Sequence, residues 1–178
     1  SVVTVVSVND DPAMTGLPTD ISVTEDVASN VDLSLATFGD VDAGSNNITF
    51  TLTVGAGTLT ASSGGSITVT GSGTATITLS GTAANIDVYL NTASNIKYTG
   101  ALNANGDNAT TLTLTANDGG FTGTGGGSDV SFGTINIDIT AVNDEPSFTV
   151  GVNKTVAQDA GAQSIPNFIT NINDGDGE

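Results

Sequence analysis

The chain has 178 residues, with 19 acidic side chains set against two lysines, Lys97 and Lys154, for a formal net charge of −17. It carries no His, Cys, Trp or Arg. That inventory removes imidazole and thiol catalysis, zinc or copper ligation through nitrogen or sulfur, and guanidinium clamping of phosphate. Nucleic acid and anionic membrane surfaces lack a partner charge here. The chain reads as no enzyme.

What it has in excess is carboxylate oxygen, the ligand hard cations such as Ca²⁺ take. Sixteen of the acids are Asp, and only Glu25, Glu145 and Glu178 are Glu. Asp is short and tolerates turn conformations, which suits loop-built ion sites, though it is also an ordinary solvated turn residue. A mean hydropathy of +0.13 and 37% hydrophobic residues oppose disorder. The length suits one domain with a core, or one and part of another. No apolar run approaches the ~20 residues of a membrane span. No signal peptide is evident, which reads as a mature protein or an internal piece. The lack of Cys excludes only a disulfide framework.

In chain order, residues 1–8 are Val-rich and end in Asn9-Asp10-Asp11-Pro12. Val23-Thr24-Glu25-Asp26 follows, then the loop Phe38-Gly39-Asp40-Val41-Asp42-Ala43-Gly44-Ser45-Asn46-Asn47. Apolar residues then alternate with Thr in 48–54, 67–70 and 75–80, and again in 112–115; in 135–140 they alternate with polar residues. Alternation of period two predicts half-buried antiparallel strands, and β-branched residues suit a pleated surface. Gly, Asn, Asp and Ser punctuate the runs. Short strands at such spacing predict an all-β antiparallel sandwich. Residues 82–90 break the pattern and predict a helical turn or two, with Thr82 as cap and Ile86 and Leu90 on one face.

An internal repeat organises the chain. Val8-Asn9-Asp10-Asp11-Pro12 returns as Val142-Asn143-Asp144-Glu145-Pro146 at an offset of 134. Val23-Thr24-Glu25-Asp26 returns as Val156-Ala157-Gln158-Asp159 after a one-residue slip, and Asp40-Val41-Asp42 returns as Asp174-Gly175-Asp176. The expected organisation is 1–9 as the last strand and linker of a preceding repeat, 10–143 as one full repeat, and 144–178 as the opening of the next. An incomplete module leaves strand edges unpaired, so neighbouring repeats or other copies of the chain are the expected partners.

The motifs carry a resemblance. Residues 8–12 and 142–148 resemble the cadherin linker, Asp-x-Asn-Asp-Asn followed by Pro and an aromatic residue. Residues 38–46 look like the cadherin Asp-x-Asp-x-Gly-x-Asn loop, and Ala116-Asn117-Asp118-Gly119-Gly120 looks like the Ala-x-Asp-x-Gly segment before the last strand. Glu25 stands where cadherin repeats carry a base glutamate. The resemblance spans nearly the whole period and is closest to the cadherin-like repeats of large bacterial surface and secreted adhesins. It implies a Greek-key β-sandwich of cadherin/Ig type, an extracellular or cell-surface location, and Ca²⁺ at module junctions. One ion set would gather Asn9, Asp10, Asp11, Asp40, Asp42, Asn46 or Asn47, and Asp118. Its counterpart would use Asn143, Glu145, Asp174 and Asp176, with Glu25 and Asp144 facing the second junction. Ser7 and Ala141 replace the first Asp of the family linker, which implies fewer ions per junction than the family's full set.

The residues support such chemistry on their own. Ca²⁺ takes six to eight oxygens. In an extended Asp-x-Asp both carboxylates lie on one side. Pro12 and Pro146 stiffen the linker exit. Function then reads as a calcium-stabilised structural or adhesive module. A filament subunit joined by strand exchange and a Ca²⁺-dependent module binding cell-surface glycans are the alternatives. The Thr-x-Thr rows read as an ordinary solvent face, an isopeptide bond at Lys97 or Lys154 has little to recommend it, and residues 123–127 read as a flexible hairpin loop rather than a phosphate loop.

Overall fold

Alternation of apolar residues with Thr decides which face of each strand turns inward. In a computed structural model, residues 1–121 and 123–173 are described. The strands are β1 (Ala13–Thr15), β2 (Asp20–Thr24), β3 (Ser29–Asn30), β4 (Thr37–Gly39), β5 (Ile48–Val54), β6 (Thr58–Ala61), β7 (Thr68–Thr70) and β8 (Thr76–Gly81). Helix α1 (Ala83–Leu90) follows, then β9 (Ile96–Thr99), β10 (Gly106–Asn117), β11 (Val130–Thr140), β12 (Ser147–Val150) and β13 (Ile169–Asn173). The fold is all-β with one short helix. It divides into two compact units, Ser1–Ala141 and Val142–Glu178.

In the first unit six strands run in the order β2-β11-β10-β5-β8-β7. β10 is antiparallel to both β11 and β5. Leu112 faces Val54, Leu114 faces Leu52 and Ala116 faces Phe50. The rows continue from Phe50 to Leu79 and from Leu52 to Ile77. These apolar rows are buried, and Thr113, Thr53 and Thr76 stand in register on the opposite face. Cross-strand pairs of this kind are the unit of sheet stability.

The expected antiparallel order fails at one pair: β2 lies parallel to β11, with Ile21 opposite Ile137 and Val23 opposite Ile139. The two strands come from opposite ends of the unit, so no tight turn constrains their direction. Parallel pairing still places all four apolar side chains in the core.

A second sheet, β3-β9-β6, and the ribbon β1-β4 complete the unit. Leu59, Ile96 and Tyr98 of the second sheet join the same buried cluster as the six-stranded sheet. Phe38 of β4 meets Phe50 edge-on with ring centroids 5.0 Å apart, and Phe132 stacks on Phe50 at 5.9 Å.

The segment expected to be helical forms α1. Thr82 caps it, its hydroxyl accepting from the Asn85 amide at 3.3 Å, and Ile86 and Leu90 are buried as expected. Asp87 of α1 accepts from the Phe38 amide at 2.8 Å, which pins the end of β4. No helix among the described residues is long and apolar enough to cross a membrane.

In the second unit β12 pairs antiparallel with β13, starting from Ser147 opposite Asn173. These two residues stand 134 positions after Ala13 and Gly39, which open the β1–β4 ribbon.

The face assignment is testable. Phe50→Ala should cost about 3–5 kcal/mol, because it removes a fully buried ring touching two others. Thr51→Ala on the opposite face should stay within about 0.5 kcal/mol. Chemical denaturation of both variants checks the register; equal losses would contradict it.

Candidate metal centre

Three chain segments meet at one end of the six-stranded sheet, and the pairing explains why. Gly39 at the end of β4 is opposite Ala13 at the start of β1, so the linker before β1 and the loop after β4 emerge side by side. Asn117 at the end of β10 is opposite Thr49 near the start of β5. The loop entering β5 and the residue leaving β10 therefore also meet there.

The loop after β4 folds on Asp40. One oxygen, Oδ1, accepts from the backbone amides of Asp42 at 3.0 Å and Ala43 at 2.7 Å. Ala43 is buried, and its carbonyl accepts from the Asn46 amide at 2.9 Å. Asp118 lies opposite, buried to 2% exposure. Its Oδ1 accepts from the amides of Gly120 at 2.9 Å and Gly127 at 3.3 Å, and its Oδ2 accepts from the Asn9 side-chain amide at 2.6 Å. Burial alone would push the Asp118 carboxyl up. The hydrogen bonds from Asn9, Gly120 and Gly127 outweigh it and hold the group below its ordinary value.

Carboxylate oxygens of Asp40, Asp42 and Asp118 lie within 4.8 Å of one another. Ligand oxygens at 2.3–2.6 Å from one Ca²⁺ are at most about 5 Å apart, so the cluster has the right size. Two further atoms point to the same chemistry. Asp40 Oδ2 and Asn9 Oδ1 are buried and take no hydrogen bond. A buried acceptor left so costs about 1–3 kcal/mol, and a cation would satisfy both. The donor set is all oxygen, which suits Ca²⁺ or Mg²⁺ and not a soft metal.

Of the residues expected at this site, Asn9, Asp40, Asp42 and Asp118 come together. Asp10 takes part through its backbone amide, which donates to Asp42 Oδ2 at 3.1 Å, while its own side chain is exposed. Asp11 and Asn47 are exposed, and Asn46 is half-buried on the loop; none of them is in the carboxylate cluster. Glu25 is buried at 1% exposure beyond β2, where its backbone amide donates to Thr140 at the far end of β11. That is the opposite end of the sheet from Asp118, because β11 starts beside Ala116 and finishes at Thr140. Asn143, in the second unit, donates to the Asp144 carbonyl at 2.9 Å, the same bond Asn9 makes to Asp10 at 3.1 Å. Asp144 is half-buried and Glu145 exposed. Asp174 and Asp176 lie outside the described residues.

Residues 123–127, after β10, belong to the candidate site, although their composition reads as a flexible hairpin. Besides the two glycine amides on Asp118, the Thr124 amide donates to the Ser7 carbonyl at 3.1 Å, and the Asn9 amide donates to the Thr124 carbonyl at 3.3 Å. Asn117 braces the loop base: its side chain donates to the Gly127 carbonyl at 3.0 Å and to Asp129 at 2.9 Å. The available signal was a run of glycines directly after a candidate ligand, where backbone amides substitute for cationic side chains. No protein-family model, curated protein or solved structure matches the chain.

Asp118→Ala should lower the stability of the chelated chain by about 1–3 kcal/mol, since it strands the donors that converge on the carboxylate. Asp11→Ala should change it by less than about 0.5 kcal/mol. Thermal melting in chelator reads both.

Proposed function

We propose that this chain is a calcium-stabilised structural or adhesive repeat module of an extracellular bacterial adhesin or fibre, without enzymatic activity. In this reading the two larger sheets of the first unit form a cadherin-like Greek-key sandwich, and the second unit opens the next repeat. The observation that carries it is the convergence of Asp40, Asp42 and Asp118 with the linker residue Asn9, where two buried oxygens lack a partner. Further support for a tandem repeat is the matched opening pairs, Ala13 with Gly39 and Ser147 with Asn173.

Asp40, Asp42, Asp118 and the Asn9 side-chain oxygen would hold the ion. The ion would supply positive charge that offsets carboxylate repulsion and joins the linker to two loops. The chain itself does the orienting: the Asp40 turn shapes one loop, the glycine amides fix Asp118, and Asp10 ties the linker backbone to Asp42. A linker held on both sides keeps a fixed direction relative to the sheet, which is what a load-bearing spacer requires.

One observation favours a second reading, a filament subunit joined by strand exchange. Val2, Val3 and Val5 are 87–92% exposed on a segment outside any strand, a surface suited to strand addition.

Extracellular calcium modules have dissociation constants of roughly 0.1–1 mM. Ca²⁺ at about 1 mM should then raise stability by about 0.4–1.4 kcal/mol. That corresponds to a melting temperature a few degrees higher than in chelator. Small-angle scattering on the same samples should report a stiffer particle with Ca²⁺, still monomeric for a spacer and growing in mass for a filament subunit. A chain whose melting and shape ignore Ca²⁺ would sink the proposal.

A further inference from the structure

Residues 123–126 touch the linker at points where no side chain fits. A Cβ on Gly123 would stand 2.7 Å from the Ser7 carbonyl oxygen, 2.7 Å from the Val8 carbonyl carbon and 2.8 Å from the Asn9 nitrogen. All three are backbone atoms and cannot swing aside. A Cβ on Gly126 would overlap the Asn9 side-chain amide. Between these contacts, Thr124 pairs with Ser7 and Asn9 through its amide and carbonyl, forming an isolated parallel bridge to Val8. The loop thus lies backbone to backbone on the incoming linker.

Asp118 connects this contact to the carboxylate cluster. Its Oδ1 is held by the amides of Gly120 and Gly127, at either end of the loop, and its Oδ2 by the Asn9 side chain. Closing the loop on the linker fixes Asp118 and brings in Asn9, whose buried Oδ1 has no partner.

We propose that residues 123–127 form a glycine clasp coupling linker docking to cation binding, with Gly123 and Gly126 as positioning residues that seat Asn9 at the site. This rests on the cation reading given above. With the clasp open, the site keeps three carboxylates but loses the Asn9 oxygen, so a cation binds more weakly. By linkage, the cation closes the clasp by the same factor. Gly123 and Gly126 act through Asn9 and touch no ion themselves.

The test uses the full 178-residue chain and Ca²⁺ itself. Gly64 is the control: like Gly123 it has no positive φ, but a Cβ added there would meet nothing within 4 Å. Gly123→Ala should weaken Ca²⁺ binding in calorimetry by about tenfold. It should also unprotect the Thr124 amide in hydrogen exchange while the β10 amides stay protected. Gly64→Ala should bind as the unsubstituted chain does. In the unsubstituted chain, saturating Ca²⁺ should raise Thr124 protection by a similar factor of about ten, a readout that needs no variant. Normal Ca²⁺ binding by Gly123→Ala, equal losses in both variants, or Thr124 protection indifferent to Ca²⁺ would each overturn the coupling and leave the cation reading standing. An unsubstituted chain that binds no Ca²⁺ removes the cation reading and the coupling together.

Discussion

A carboxylate withdrawn from water must find donors or countercharge, and the end of this sheet is arranged around that demand. Asp118 is almost wholly buried, and its two oxygens are claimed by different segments: one by glycine amides of its own loop, the other by an amide from the linker more than a hundred residues earlier. The loop conformation, the path of the linker and the spacing of the neighbouring carboxylates all follow from satisfying that one group. Asp40 repeats the solution on a smaller scale, using the backbone amides of Asp42 and Ala43.

The sheet makes such a site buildable. Residues distant in sequence arrive together because pairing registers fix the ends of strands, and apolar rows fix the registers. Had β10 slipped by one residue against β5, Leu112 and Leu114 would turn to solvent. The same slip would carry Asp118 away from the β4–β5 loop. Helix α1 contributes from the other side, because Asp87 holds the Phe38 amide and so the strand that launches Asp40. Core packing and site geometry are therefore not separate properties here: the Phe38–Phe50 contact and the position of Asp40 depend on the same strand.

The large negative charge divides into distinct roles. Some acids shape loops: Asp20 and Asp32 accept from neighbouring hydroxyl, amide and backbone groups, which hold both below their ordinary values. Others, such as Asp11, stand exposed. The group at the sheet end is different because three carboxylates share a small space with two buried oxygens lacking donors. A formal count of charges cannot separate these classes, since the difference lies in what each oxygen faces.

Much was legible from local pattern. Thr–apolar alternation located β5 and β8 closely, and the apolar–polar alternation of 135–140 located the second half of β11, because a period of two is a property of the strand itself. Thr82 marked its helix because a cap acts within one turn. Asp40, Asp42, Asn9 and Asp118 are candidates from motif spacing, and the fold brings these four together. The parallel pairing of β2 with β11 was not legible, since strand direction across a long connection leaves no trace in either strand's composition. Glu25 is assigned to the second junction by the resemblance alone; what carries it to the end of the sheet away from Asp118 is the pairing of β2 with β11. The glycine run 123–127 looked flexible by composition, and only its backbone contact with Ser7 and Asn9 gave it a role. Membership and inward face of the long alternating strands are thus written in the chain locally, because they follow from periodicity and side-chain chemistry. Which loops meet is not, because that depends on registers and directions set by pairing between strands far apart in the chain.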